Sequence, residues 1–338
     1  MVTKKVYSSI DLFKFIASIM VVAIHTHPLE GMVADYYFTC FCRIAVPFFF
    51  VASSYFFFSR PEPDIKRYLY RLGTLYLLWF ILELPFVYYK FFVDFKYSFP
   101  LQLLNFFRSL FFSNTWWASW YIMASMISVV IVYYLDKRCK LKNSTLLILA
   151  IVGYLFSLSS AGYGGFVDLF LSERMQFNHR LFVGVFCPSN SFVVALIYVV
   201  LGKILSETKW ERWNIVHYKW QLVLLWFGIL FFGVMEVFLM KWSMWVSDAW
   251  CFLPPLTLVG FVILLLTDTE IKPDIAQLMR KMSILIYILH PIFQFVNGIL
   301  FSMENGFFMF LITSGECIVL SYSIISLSPK APLLKKLY

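Results

Sequence analysis

Charge is what this sequence has least of. Asp, Glu, Lys and Arg together make up 14% of its 338 residues, against about 25% in an ordinary soluble domain. So few charges exclude a soluble enzyme and a disordered chain, because both need far more polar surface. Cysteine is also sparse, at six residues with no C-x-x-C pair. That excludes a disulfide scaffold. No His-rich metal spacing appears either, so no metal site is expected. What remains is apolar. Hydrophobic residues reach 61%, with 39 Phe, 20 Tyr and 11 Trp, and the mean hydropathy is +0.78. This composition fits an all-α polytopic integral membrane protein.

A helix needs about 20 mostly apolar residues to cross the hydrocarbon core. Ten segments meet that pattern, at roughly 10–27, 36–58, 70–93, 117–135, 144–161, 187–205, 219–240, 248–267, 282–302 and 306–327. The third carries Glu83 and Pro85, where a kink is expected. The sixth follows the Gly-rich stretch Gly162–Gly165 and contains Pro188. No 20–50-residue repeat is visible. With a cytoplasmic N-terminus, 19 of the 28 Lys and Arg residues fall in inner segments. Only Lys96, Arg108, Arg174, Arg180 and Lys241 fall outside, and Lys14, Arg43, Lys90 and Lys203 lie within or at the edge of spans. This asymmetry predicts both termini on the cytoplasmic side. The net charge of +9 is then a topology signal, not a nucleic-acid footprint. Met1–Lys5 resembles a basic signal-peptide start, but Asp11 and Lys14 interrupt the apolar run and no cleavage site follows. An uncleaved first helix is expected. Cys139 falls in an inner loop and Cys317 in the last span. Cys40, Cys42, Cys187 and Cys251 fall near the outer face, where a disulfide among them stays open.

Charged groups inside hydrocarbon are costly and usually face a cavity or a partner. The first span holds Asp11, Lys14 and His25. Lys14 and His25 are eleven residues apart, which is about 20° beyond three full turns. Asp11 is offset from His25 by about 40° on the same face. One stripe therefore carries an acid and a base near the cytoplasm and an imidazole about 16 Å further along the axis. Snorkelling to the two interfaces explains the same residues without a site. Arg43 stands in the second span, with Ser53-Ser54 after it. Glu83, Glu236 and Glu316 are intramembrane acids, any of which could pair with Lys14 or Arg43. Trp116-Trp117 and Trp120-Tyr121 open the fourth span as an aromatic belt or a pocket wall. His290-Pro291 lies in the ninth, where the missing backbone donor can open a kink.

These residues bring a family into view. Asp11-Leu-Phe-Lys14-Phe-Ile-Ala, with His25 eleven positions after Lys14, resembles the first helix of the membrane acyltransferase-3 family. Arg43-Ile-Ala-Val-Pro47 followed by Ser53-Ser54-Tyr55 resembles its second-helix pattern. Ser119-Trp120-Tyr121, Arg180-Leu-Phe-Val-Gly184 and Tyr287-Ile-Leu-His290-Pro291 resemble its later elements. The similarity runs from residue 8 to about 295. Lys14 stands where the family usually has Arg, and lacks that side chain's bidentate fork. Ser54 stands where Gly is common.

The resemblance implies one acyltransferase-3-like transmembrane domain over residues 1–338, in the plasma membrane. It implies an O-acyltransferase that moves an acetyl group from cytoplasmic acetyl-CoA to a hydroxyl of an outward-facing cell-envelope acceptor such as a glycan. His25, Lys14 and Arg43 would be catalytic, with His25 the general base. Asp11, Ser53, Trp120, Arg180 and His290 would bind substrate. Arg60, Lys66, Arg67 and Arg71 would bind the CoA phosphates. The lipid bilayer and the envelope acceptor are the expected partners, with neither nucleic acid nor metal. A branch of the family forms the membrane half of serine racemases from vancomycin-resistance clusters, and a chain ending on the cytoplasmic side at Tyr338 would suit such a fusion. Transport of a small serine-like amino acid, or service as a membrane anchor for a racemase, is the rival reading.

Overall fold

A computed structural model describes residues 7–31, 34, 37–94, 98–112, 119–208, 218–242, 250–267 and 269–338. Lys4, Lys5, Lys96, Trp116, Trp117, Lys209 and Arg212 lie outside the described residues. Every regular element among the described residues is helical. Helix α1 runs unbroken from Ser8 to Thr26 and stops at His27, whose left-handed backbone (φ 47°) returns its N–H to the Ala23 carbonyl. Pro28 follows, and a residue before proline is driven out of the α region. The chain re-enters through a π turn at Tyr37–Phe41 and a 3-10 turn at Cys42–Ile44, then forms α2, Ala45–Phe58. Arg43 therefore sits in the tight turn that precedes α2. Helix α3 spans Ile65–Tyr88, and the Asp64 carboxylate caps it by accepting from the Arg67 N–H at 3.0 Å. It passes through Pro85 and gives way to a π turn at Tyr89–Asp94.

The remaining helices are α4, Phe99–Phe112; α5, Ser119–Lys137; α6, Asn143–Ser159; the short α7, Gly164–Asp168; α8, Glu173–Phe186; and α9, Phe192–Glu207. They continue with α10, Lys219–Trp242; α11, Leu253–Leu265; α12, Pro273–Leu300; and α13, Phe307–Leu327. Among the described residues, six helical stretches are long and apolar enough to cross a membrane: Ser8–Thr26, Ile65–Val93, Trp120–Lys137, Lys219–Met240, Pro273–Leu300 and Phe307–Leu327. The α8–α9 pair, bent by 41° at its break, makes a seventh. The break has a local cause: Cys187 is left-handed (φ 43°) and Pro188 follows it. Ten full-length spans are not what the described residues form. The other three apolar stretches, Cys42–Phe58, Asn143–Ser159 and Leu253–Leu265, are 10–17 residues long, below the about 20 residues of a full-length span. Helix α4 was not expected from the sequence, because Asn105 and Arg108 cut its apolar run below spanning length.

The distribution of polarity is that of a membrane protein. Leu224 and Leu239 on α10 are 70% and 65% exposed, a costly display in water but not in lipid. Buried hydroxyls fold back onto their own helices, as Thr26 does to Val22 and Thr257 to Leu253, each at 2.8 Å.

The chain divides into two compact units. The first comprises residues 1–52, 208–234 and 252–338. Its core packs Phe13 on Phe48 with ring centroids 4.5 Å apart, and Phe49 on Tyr287 at 5.9 Å. Ser9 on α1 donates to the Leu264 carbonyl of α11 at 2.6 Å. Gly260 makes room for a large neighbour, since a Cβ there would come within 3.0 Å of Trp226 Nε1.

The second unit comprises residues 53–207 and 235–251. Ser54, fully buried, donates to the Val199 carbonyl at 2.5 Å and ties α2 to α9. A glycine here, as in the family pattern, would lack that bond. Tyr163 donates to Glu236, and the Cys251 N–H donates to the same carboxylate oxygen at 2.7 Å. Burial, and then the Glu236 carboxylate, hold the Tyr163 phenol far above its ordinary range, so it stays a donor. Among the described residues no disulfide joins any pair of the cysteines.

Candidate functional site

The polar stripe on α1 has two ends, both within the first unit. At the first end lies Asp11, buried in the first turn, where a carboxylate is favoured by the helix dipole. One of its oxygens is 3.5 Å from Lys14 Nζ and the other 3.5 Å from Arg280 Nη1 on α12. A single buried acid is thus flanked by two bases. The sequence placed Asp11 and Lys14 together but counted Arg280 only as a loop charge.

His25 stands at the other end, one residue before α1 stops. Its ring stacks on that of His290 from α12, with centroids 5.1 Å apart and planes at 26°. The Arg43 charge acts on His25, so the Arg43 turn lies near this end of the helix. His290 is 1% exposed, and its Nδ1 lies 2.7 Å from the Tyr287 carbonyl. A carbonyl only accepts, so Nδ1 carries the proton and Nε2 is a bare acceptor. Among the described residues no hydrogen-bond partner reaches that Nε2.

Two further residues complete this end, and sequence reasoning missed both. Gln294, one turn beyond His290, donates from Nε2 to the His25 carbonyl at 2.7 Å and to Asn305 Oδ1 at 2.9 Å. Asn297, 1% exposed, donates to Glu316 on α13 at 2.8 Å. His290, Gln294 and Asn297 recur at i, i+4 and i+7, one face of a helix. That spacing of amides behind a histidine, within an apolar run, was the available signal. Glu316, expected as a partner for Lys14 or Arg43, takes this hydrogen bond from Asn297.

The other candidates belong to the second unit. Ser53 Oγ lies 3.3 Å from Tyr68 OH. Trp120 is partly buried in the first turn of α5. Arg180 is 69% exposed and paired with Asp168 at 3.0 Å. Glu83 is buried on α3, and Glu236 serves the Tyr163 and Cys251 contacts described above. Arg60 occupies the turn after α2, while Lys66, Arg67 and Arg71 occupy the first two turns of α3; all four are exposed. Arg67 and Arg71, four apart, share one face. An exposed cluster of this kind suits phosphate groups, which take charge-assisted bonds from guanidinium forks.

Residues 7–326 match a family model described as an acyltransferase domain, acyltransferase-3. The chain belongs to the acyltransferase-3 family. Two curated relatives are both amino-acid racemases of Enterococcus faecalis. One is 24% identical over 340 residues, covering 96% of this chain and 46% of the relative. Another is 29% identical over 208 residues, covering 60% of this chain and 28% of the relative. The chain thus spans less than half the length of the curated relatives it matches. No solved structure matches. Within the acyltransferase-3 family the usual first-helix Arg is Lys14 here, and its Asp11 partner is shared with a guanidinium, Arg280.

Proposed function

We propose that this acyltransferase-3 protein is a plasma-membrane O-acyltransferase that carries an acetyl group from cytoplasmic acetyl-CoA to a hydroxyl of an outward-facing envelope acceptor such as a glycan. The observation that carries the reading is α1 itself. One 19-residue helix holds a charged cluster at one end and, about 16 Å away along its axis, an imidazole stacked on a second imidazole. A general base must titrate near working pH and reach the proton it removes, and histidine is the side chain that does this most readily. His25 takes the proton from the acceptor hydroxyl as that oxygen bonds to the thioester carbonyl carbon. The carbon–sulfur bond then breaks, and the imidazolium returns the proton to the departing CoA sulfur. Arg43, near His25, stabilises the oxyanion of the intermediate. Arg60, Lys66, Arg67 and Arg71 hold the CoA phosphates on the cytoplasmic side. Both termini lie there, and the seven spanning helices with the three short apolar ones traverse the bilayer ten times.

The deciding experiment follows labelled acetyl from acetyl-CoA in the purified protein, with release to water and transfer to added glycans measured together. Absence of both, with no binding of CoA, overturns the reading. Arg67→Ala with Arg71→Ala is expected to raise the acetyl-CoA KM at least tenfold, since hydrogen bonds to charged groups contribute about 1.5–3 kcal/mol. An unchanged KM removes these residues from the donor site. The topology has its own check. Cys139 is an exposed thiol in the turn between α5 and α6. A membrane-impermeant maleimide is expected to label it in inside-out vesicles and not in intact cells; the reverse pattern inverts the orientation.

A second reading follows from the relatives. Both are named amino-acid racemases and both extend well beyond the matched region, so this chain could serve as the membrane anchor, or as the serine-like amino-acid transport domain, of a racemase fusion. Counterflow of a labelled amino acid in proteoliposomes, with no acetyl transfer, would favour it.

A further inference from the structure

Among the described residues, two buried acceptors on α12 lack donors. His290 Nε2 is bare because Nδ1 holds the ring's proton against the Tyr287 carbonyl. Gln294 is 7% exposed, and its amide orientation is fixed because only nitrogen can donate to the His25 carbonyl. Its Oε1 is therefore the atom left without a partner. Native structures leave few buried polar atoms unsatisfied, and each costs about 1–3 kcal/mol. Two of them, one helical turn apart and both against the C-terminal end of α1, form a pattern with a chemical sense. Bare acceptors call for a ligand that donates, which excludes carboxylates, phosphates and carbonyls at this position. Residues four apart on a helix are neighbours on one face, so two adjacent hydroxyls of one ligand address both acceptors. The Arg43 charge acts on this end of α1 and disfavours an ammonium group, while Glu316 is already engaged by Asn297. Neutral hydroxyls fit best.

We propose that His290 Nε2 and Gln294 Oε1 form a subsite that accepts hydrogen bonds from two neighbouring hydroxyls of a polyol, such as the vicinal diol of a sugar ring. The ring of His25 lies against this subsite, so a diol held there presents its next oxygen to the imidazole. The identification of that polyol as the acetyl acceptor rests on the transferase reading; the binding subsite does not.

The test uses the full chain in lipid nanodiscs and calorimetric titration with a panel of methyl hexosides, each beside its monodeoxy analogues, with free serine as a comparator. The expected result is that at least one parent glycoside binds tenfold or more tightly than the analogues lacking either hydroxyl of one vicinal pair. His290→Phe, which keeps a ring against His25, is expected to reduce the discrimination at one hydroxyl to under twofold. Gln294→Met is expected to do so at the other. Equal binding of parent and deoxy sugars by the unaltered protein overturns the subsite and leaves a buried water as the partner of both atoms. Binding of none of the glycosides, or of serine alone, overturns it too. Release of label from acetyl-CoA is measured on the same preparation. Discrimination without label release overturns the transferase reading and leaves the subsite standing; label release without discrimination does the opposite.

Discussion

Replacing His25 by alanine is expected to lower acetyl transfer by about 10²–10⁴-fold, the usual contribution of a positioned acid–base group. The loss should fall on kcat, with the KM for acetyl-CoA within twofold of the original, because the phosphate-binding candidates are on other elements. Folding should survive the change. His25 occupies the last turn of α1 and is only partly buried, so its removal opens little cavity. The hydrogen bond that Gln294 makes to residue 25 goes to the backbone carbonyl, which alanine retains. Radiolabelled acetyl transfer by the two proteins, normalised to protein recovered from the membrane fraction, is the measurement. Activity retained within threefold rejects His25 as the base. Loss of protein from the membrane would show instead that the imidazole stack on His290 holds α1 to α12, and His25→Phe, which keeps a ring, then separates stacking from proton transfer.

The geometry of α1 was legible in the sequence because a helix is a local object. Its 3.6-residue period alone puts Asp11, Lys14 and His25 on one stripe, and the described helix is continuous through all three. What meets the stripe was not legible. Arg280 lies 269 residues from Asp11, and His290 lies 265 from His25, so each pairing depends on how α12 returns to α1. No local rule supplies that. Gln294 and Asn297 went unread for a different reason. An amide in an apolar helix carries no charge penalty to advertise it, and only its phase relative to His290 marks it. The span boundaries failed where the backbone departs from the α-helix. The π and 3-10 turns before α2, and the Cys187–Pro188 break between α8 and α9, are set by φ/ψ choices that hydropathy does not register.

The same limit hid the largest structural effect in the second unit. Lys203 stood at the edge of a span as an unassigned base. In the fold its ammonium is 2% exposed and meets three acceptors, one for each N–H: Asp136 at 2.9 Å, Glu207 at 2.8 Å and Asn143 at 2.7 Å. Asn143 in turn donates to the second oxygen of Glu207 at 2.8 Å, so the network joining α5, α6 and α9 is closed. A buried charge is tolerable only when its donors are met in this way. Lys203→Met is expected to destabilise the protein by about 3 kcal/mol, the low end for breaking a buried pair. The low end applies because Glu207 is 46% exposed, so water takes up its charge, whereas Asp136, at 14%, is left with Lys137 as its remaining ion-pair partner. Thermal unfolding in detergent reads the effect as a drop in Tm. The double variant Lys203→Met with Asp136→Leu decides the cause. Removing the stranded carboxylate should recover part of the loss, since apolar groups of similar size often replace a buried ion pair at little cost. A double variant no more stable than Lys203→Met alone would mean that the stranded Asp136 carboxylate is not the source of the loss.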